Sequence, residues 1–183
     1  MAKKLLIGAI LAAIAAIACS FTICRPAPAK AYNLSGESIT WHTWEEAQEL
    51  MAKEPKKMFI DVYTDWCGWC KRMDKETFTD SGVAKYMNEH FYAVKFNAEQ
   101  KEDIVYRGTT LSYRPSSRRG VHDLAVSLLD GRMGYPSFVY LDENQDRISI
   151  SPGYKTPDMM VKELKYIGGD FYKNTSFEQF QGR

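Results

Sequence analysis

The chain has 183 residues, 45% of them hydrophobic and 13% aromatic, which is enough for one domain with an ordinary core but hardly for two. Its 24 basic and 23 acidic residues nearly cancel, so the composition lacks the excess of positive charge that is typical of a nucleic-acid-binding protein. Four of the basic residues lie in residues 1–31, which contain no acid, so the remainder is slightly acidic.

Residues 1–31 have the order of an export signal. A lysine pair precedes an apolar run over residues 5–24, and a short stretch rich in proline and alanine follows. The A-x-A pattern at residues 29–31 predicts cleavage before Tyr32. Two alternatives stay open: an uncleaved membrane anchor, because about 20 apolar residues can span a bilayer, and a lipoprotein attached at Cys19.

Each of these alternatives exports a folded domain, residues 32–183, into a compartment that allows disulfide chemistry. Of the four cysteines, Cys19 and Cys24 belong to the targeting segment. A cleaved protein therefore keeps only Cys67 and Cys70, which have only each other as partners.

The first half of the domain predicts a helix, a strand, two helical pieces and a second strand. Thr43 and Glu46 fit a capping box at the start of "WEEAQELMAKE". The run "MFIDVYT" is short and almost entirely apolar, which favours a central strand covered on both faces. After the helical "CKRMDKETF" and "TDSGVAKYMNEHF", the run "YAVKFNA" predicts a strand parallel to the first.

A long connection, about residues 101–133, separates this half from the next strand. It contains "IVYRGTTLSY", which predicts a hairpin turning near Gly108, and "RRGVHDLAVSLLDG", which predicts a helix that ends at Gly131. The same connection contains a basic patch, interpreted as part of a solvated loop: Arg114, Arg118 and Arg119.

The C-terminal part predicts a hairpin followed by a helix. The strands are "SFVYLD" and "RISIS", and the turn between them is "ENQD". Thr156 and Pro157 open the helix, which ends at residues 168–169. The remaining tail, residues 170–183, has room for one more short helix.

The spacing of Cys67 and Cys70 argues against three common roles. A structural zinc site needs four nitrogen or sulfur ligands, but there is no second cysteine pair and the histidines are scattered. Attachment of a c-type haem needs a histidine directly after the second cysteine, where Lys71 stands. A structural disulfide over so small a loop removes little entropy from the unfolded chain.

A redox pair has a positive physical argument. Cys67 follows a strand and opens a helix, where free amide groups and the helix dipole favour a thiolate. We therefore interpret Cys67 as the nucleophile and Cys70, one turn further in and more buried, as the resolving thiol.

Over about residues 39–169 the sequence resembles the thioredoxin superfamily. "FIDVYTDWCGWCK" is similar to the family's strand and active-site turn, and "GYPSFVYLD" is similar to the segment that carries its cis-proline, here Pro136. The combination of export with C-G-W-C is most similar to thioredoxin-like proteins of bacterial envelopes. The resemblance implies an α/β fold, with a central mixed sheet flanked by helices and an insertion at about residues 101–133 before the cis-proline strand.

The resemblance also implies roles for particular residues. Asp61 matches a buried carboxylate that helps to move the proton of the resolving cysteine, and Lys95 matches the lysine beside it. The residues expected to contact the substrate are Trp66, Gly68, Trp69, Tyr135, Pro136 and Gly153.

The implied function is that of a periplasmic or envelope thiol-disulfide oxidoreductase. It would act on protein disulfides or dithiols without a bound cofactor or metal, and a membrane protein would recycle it. Trp69 stands where many thioredoxins have proline, so the sequence leaves open whether the protein reduces, oxidises or isomerises disulfides. The alternative function is a thioredoxin-fold module that binds proteins or peptides and has only incidental redox activity.

Overall fold

The computed structural model describes residues 37–181 of the chain. The predicted export signal, residues 1–31, lies outside the described residues. In the described part, no helix is both long enough and apolar enough to cross a membrane.

The described residues form nine strands and six α-helices. The strands are β1 (Trp41–His42), β2 (Lys57–Tyr63), β3 (Phe91–Asn97), β4 (Ile104–Tyr106), β5 (Thr109–Leu111), β6 (Tyr113–Arg114), β7 (Val121–His122), β8 (Ser137–Leu141) and β9 (Arg147–Pro152). The α-helices are α1 (Trp44–Lys53), α2 (Gly68–Arg72), α3 (Ser81–His90), α4 (Asp123–Leu128), α5 (Pro157–Gly168) and α6 (Phe177–Gln181). A π-helical turn, Met73–Thr77, continues α2, and a 3-10 turn, Phe171–Lys173, follows α5.

Five strands form a mixed central sheet in the order β1-β3-β2-β8-β9. Strands β1 and β2 run parallel to β3, whereas β8 is antiparallel to β2 and β9 is antiparallel to β8. The connection from β2 to β3 contains α2 and α3, as predicted for a parallel pair. The α/β architecture implied by the resemblance is confirmed.

The side chains of β2 alternate between two layers of the core. Met58 and Ile60 face the layer that contains buried residues of α1 and α4, and Phe59 faces the layer that contains those of α3 and α5. Since neighbours in a strand point to opposite faces, Asp61 lies on the side of Phe59. The π-turn packs into the same layer through Met73. The only carboxylate of β2 is therefore on the face that the cysteine-bearing helix covers.

The insertion is folded into two small hairpins and a short helix. The predicted hairpin is formed by β4 and β5 and turns at Gly108, which has a φ of 75°. The predicted long helix was wrong at its start, because α4 begins only at Asp123 and the two residues before it pair as β7 with β6. His122 caps α4 by accepting the N–H of Leu124 at 3.0 Å, and this side chain is fully buried.

Helix α1 has the predicted capping box, with the Thr43 hydroxyl accepting the Glu46 N–H and the Glu46 carboxylate accepting the Thr43 N–H. We expect Thr43→Ala to lower the free energy of unfolding by about 1 kcal/mol, because one amide loses its partner. Urea titration followed by circular dichroism measures the change. The matched control is Thr40→Ala, because Thr40 is exposed and its backbone N–H, not its hydroxyl, is bonded to Asn88. An equal loss in both variants would contradict the capping role.

Candidate active site

The two cysteines form a disulfide at the start of α2. Cys67 is the N-cap residue, and its Sγ accepts the backbone N–H of Cys70 at 3.0 Å. A sulfur held by an amide at a helix start is stabilised in its thiolate form when the bond is reduced. Both side chains are buried, with Cys70 2% exposed and Cys67 4% exposed. Cys70 is thus more buried than Cys67, as predicted, but only by a small margin.

The segment before β8 lies beside the cysteine turn. The Tyr135–Pro136 peptide bond is cis, as the resemblance implied. Gly153 donates its N–H to the carbonyl of Pro136 at 2.8 Å. It has a φ of 87°, a backbone conformation that strongly favours glycine. Contact between the rings of Trp66 and Tyr135, whose centroids are 5.8 Å apart, brings this segment against the cysteine turn.

Trp66, the residue before Cys67, is held by three neighbours although it is 50% exposed. Tyr135 meets it edge-on, its indole N–H donates to Glu99 at 2.9 Å, and the guanidinium of Arg119 lies 4.2 Å from its ring centroid. Burial, with the nearby Glu99 carboxylate, raises the pKa of Tyr135 to about 12. The phenol therefore stays neutral at physiological pH.

Trp69, between the cysteines, is 55% exposed and belongs to a second aromatic group. Its ring lies 5.4 Å from that of Tyr154, and the Arg72 guanidinium lies over both rings. Gly68 beside it faces open space, since a Cβ there would meet no atom within 4 Å. The aromatic residues expected to contact the substrate thus fall into two groups, with Trp66 next to Tyr135 and Trp69 next to Tyr154.

Asp61 and Lys95 are register neighbours on β2 and β3, with Lys95 Nζ 2.8 Å from Asp61 Oδ2. Asp74 of the π-turn also binds Lys95. The second oxygen of Asp61, Oδ1, is buried without a hydrogen-bond partner. One lysine therefore serves two carboxylates, one buried and one half-exposed.

Burial raises the pKa of Asp61 to about 6, against the opposing attraction of Lys95, and the negative charge of Asp74 adds to the increase. Burial alone would lower the pKa of Lys95, but the carboxylates of Asp61 and Asp74 outweigh it and the pKa rises. Lys95 therefore stays charged, while Asp61 changes its protonation state near neutral pH. A carboxyl that titrates in this range is suited to proton transfer.

The histidines lie apart from the cysteine pair and from one another. The ring contacts are His42 with Tyr92, His90 with Tyr86, and His122 with Phe96. Among residues 37–181, no group of three or more His, Cys, Asp or Glu side chains could hold a metal ion.

Four residues near the cysteine pair and Asp61 are not among the predicted site residues: Asp74, Glu99, Arg119 and Tyr154. Asp74 lies in the π-turn, whose geometry the residue types do not indicate. Tyr154 directly follows Gly153 in the sequence. Arg119 was noted only as part of a basic patch, since its position depends on the pairing of β6 with β7.

Comparison with known families assigns most of the chain to one family. Residues 31–163 match the family described as "Thioredox_DsbH: Protein of unknown function, DUF255". The chain belongs to this family. The matched range contains the cysteine turn together with Asp61, Lys95, Pro136 and Gly153.

Curated relatives align with a short part of their own length. Spermatogenesis-associated protein 20 of Homo sapiens is 32% identical over 75 residues, which are 40% of this chain and 9% of that protein. Thiol:disulfide interchange protein DsbD of Haemophilus ducreyi is 44% identical over 55 residues, which are 30% of this chain and 9% of DsbD. The chain therefore matches less than a tenth of each relative.

Solved structures share the fold at low sequence identity. A thioredoxin-fold protein from Helicobacter pylori has a TM-score of 0.53 and 18% identity, covering 70% of this chain and 79% of its own. A structure titled "DsbH Oxidoreductase" has a TM-score of 0.53 and 16% identity, covering 79% of this chain and 94% of its own. The fold is thus that of thioredoxin.

Proposed function

We propose that the protein is a thiol-disulfide oxidoreductase that acts on disulfides or dithiols of other proteins. The observation that carries this proposal is the Cys67–Cys70 disulfide at a helix start, with Cys67 Sγ accepting the Cys70 N–H. The family's thioredoxin-like character and the printed activity of the partly aligned relative DsbD, thiol:disulfide interchange, support it.

The reaction is a two-step exchange. A partner thiolate attacks Cys67 Sγ, which breaks the Cys67–Cys70 bond and releases Cys70 as a thiolate. A second partner thiolate then attacks the mixed disulfide, which oxidises the partner and leaves the protein as a dithiol. The same steps in reverse reduce a partner disulfide, and the relative reduction potentials of the two pairs set the direction.

Asp61 acts as the proton carrier for Cys70 in this proposal. It lies in the core layer that α2 and the π-turn cover, and its pKa of about 6 allows it to accept and release a proton near neutral pH. Lys95 holds the carboxylate from the neighbouring strand. Both residues are therefore proposed to act on the resolving thiol rather than on the partner.

The partner's chain is proposed to lie between the two aromatic pairs. Trp66, directly before Cys67, is paired with Tyr135, and Trp69, between the cysteines, is paired with Tyr154. A Cβ at Gly68 would meet no atom within 4 Å, which leaves space for the partner beside the disulfide, and Pro136 and Gly153, joined by a backbone hydrogen bond, are proposed to contact the partner's chain.

We also propose that the domain works outside the cytoplasmic membrane and is recycled by a membrane protein. The order of residues 1–31, with a lysine pair, an apolar run and an A-x-A pattern, supports export. In that location the cysteine pair needs a source or acceptor of electrons, which a membrane thiol-disulfide protein supplies.

We expect the Cys67–Cys70 pair to equilibrate with glutathione buffers in a single two-electron transition. Mass spectrometry after alkylation of free thiols measures the reduced fraction, and the potential then separates a reductant from an oxidant. The control is Cys67→Ser/Cys70→Ser, which reports any reaction of Cys19 and Cys24. A pair that stays unchanged in every buffer, in a protein that still binds peptides, would favour the binding module instead.

A further inference from the structure

The insertion places an arginine directly beside the reactive disulfide. Residues 115–119, which follow β6 and precede Gly120 and β7, are named here the arginine loop, and all of them are exposed. It contains Arg118 and Arg119 and no acidic residue. Arg119 reaches the ring of Trp66, which directly precedes Cys67.

The base of the arginine loop is fixed to the body of the domain. The Gly120 N–H donates to the Tyr113 hydroxyl at 3.0 Å, and the His122 N–H donates to the carbonyl of Ala98 at 2.8 Å. Arg114, at the start of the loop, forms an ion pair with Asp123. The hairpin is thus closed at its base and anchored to the domain at His122, and Arg119 extends from it onto Trp66.

The Arg119 guanidinium has unused donors. Its contact with Trp66 is through the ring face, and stacking on a ring leaves the N–H groups in the guanidinium plane free to bind a carboxylate in two places. Among the described residues, neither Arg118 nor Arg119 forms an ion pair with an acid. The carboxylate of Glu99 accepts the N–H of the Trp66 indole, which carries no charge to offset it.

The other arginines near the site differ from these two. Arg72 is paired with Glu76, and Arg114 is paired with Asp123. Among the described residues, Arg118 and Arg119 are therefore the arginines on this side of the disulfide that no ion pair engages, and Arg119 contacts Trp66, the residue before Cys67.

We propose that the arginine loop selects protein partners that carry acidic residues beside the cysteine exchanged with Cys67. The proposal rests on the proposed function and names the partner class for the same site. An acidic side chain next to the partner's cysteine would meet Arg119 when that cysteine reaches Cys67. A basic side chain there would meet two like charges.

The test uses the reduced full-length protein and two peptides, each with one internal disulfide and with either Glu or Lys on both sides of the first cysteine. Each turnover converts a peptide disulfide into a dithiol while Cys67–Cys70 becomes a disulfide. We expect reduction of the Glu peptide to be about tenfold faster at low salt, and the ratio to approach one at high salt because the charges are screened.

Three variants locate the effect. Arg118→Gln/Arg119→Gln should reduce the ratio between the peptides to below about twofold, and Arg118→Lys/Arg119→Lys should keep most of it. Arg107→Gln is the matched control, because Arg107 lies in the same insertion but pairs with Asp146, in the turn at the far end of β8 from Pro136. It should leave the ratio unchanged.

Equal rates for the two peptides with the unaltered protein, or a ratio that survives in the double Gln variant, would overturn the assignment of the arginine loop. The neutral compound 2-hydroxyethyl disulfide separates this outcome from failure of the proposed function. If the unaltered protein reduces it but shows no charge preference, only the present inference is wrong. If the protein does not reduce it, the oxidoreductase proposal is wrong and this inference with it.

Discussion

Cys67→Ser is expected to abolish turnover, whereas Cys70→Ser is expected to accumulate mixed disulfides with partner proteins. Only the sulfur of Cys67 sits at the helix start and accepts an amide N–H, so it forms the attacking thiolate. Without Cys70 nothing inside the protein releases the bound partner. Non-reducing gels of each variant, purified from cells without exposure to reductant, measure the adducts.

The double variant Cys67→Ser/Cys70→Ser is the control for this experiment, because adducts that it forms would come from Cys19 or Cys24. Adducts on Cys67→Ser that are absent from Cys70→Ser would reverse the roles of the two cysteines. Adducts on neither single variant, together with normal turnover, would remove the pair from the mechanism.

Asp61→Asn is expected to slow release of the mixed disulfide by about 10²-fold at pH 7 and to change its formation much less. A positioned acid or base typically contributes at least this factor, and Asp61 is proposed to act on Cys70. In the unaltered protein the release rate should rise with pH through about 6, the pKa of Asp61. Stopped-flow measurement of both steps between pH 5 and 8 gives the two profiles.

Asp74→Asn is the matched control, since it removes the other carboxylate bound to Lys95. The negative charge of Asp74 raises the pKa of Asp61, so its removal should move the inflection to lower pH without abolishing it. An unchanged release rate and an unchanged inflection in Asp61→Asn would exclude Asp61 from proton transfer.

The carboxyl of Asp61 also makes the free energy of unfolding depend on pH. Its pKa is about 6 in the folded protein against an ordinary value of 3.8, so the folded state holds a proton that the unfolded state has lost. The free energy of unfolding therefore falls as pH rises from about 4 to above 6, by roughly 3 kcal/mol in total. Asp61→Asn should lack this decrease, so its stability relative to the unaltered protein should grow with pH over this range.

The strands and the cysteine turn were predictable because their signals are local. The apolar run around Phe59 indicates a strand buried on both faces, and the capping box at Thr43 locates a helix start to the residue. The closeness of Asp61 and Lys95 followed from the resemblance together with the parallel pairing of their strands, and the structure places them 2.8 Å apart.

The helix start in the insertion and the contacts of Arg119 and Asp74 could not be predicted, because they depend on contacts between segments that have weak local signals. Strands β6 and β7 have two residues each, too few for a periodic pattern, so the sequence places Val121 and His122 inside the predicted helix. The contact of Arg119 with Trp66 depends on that pairing. Asp74 reaches Lys95 from the π-turn, a local change of helix geometry that the residue types of "MDKET" do not indicate.

The base of the arginine loop and the loop itself differ in how freely their residues can be substituted. A Cβ at Gly120 would lie 2.2 Å from the Tyr113 hydroxyl, so this pair of residues is constrained, while residues 115–119 contribute nothing to the core. Apart from the contact of Arg119 with Trp66, these five positions can therefore change in charge, size or number without altering the core. Evolution or protein design could therefore exchange the loop and give the same redox centre different protein partners.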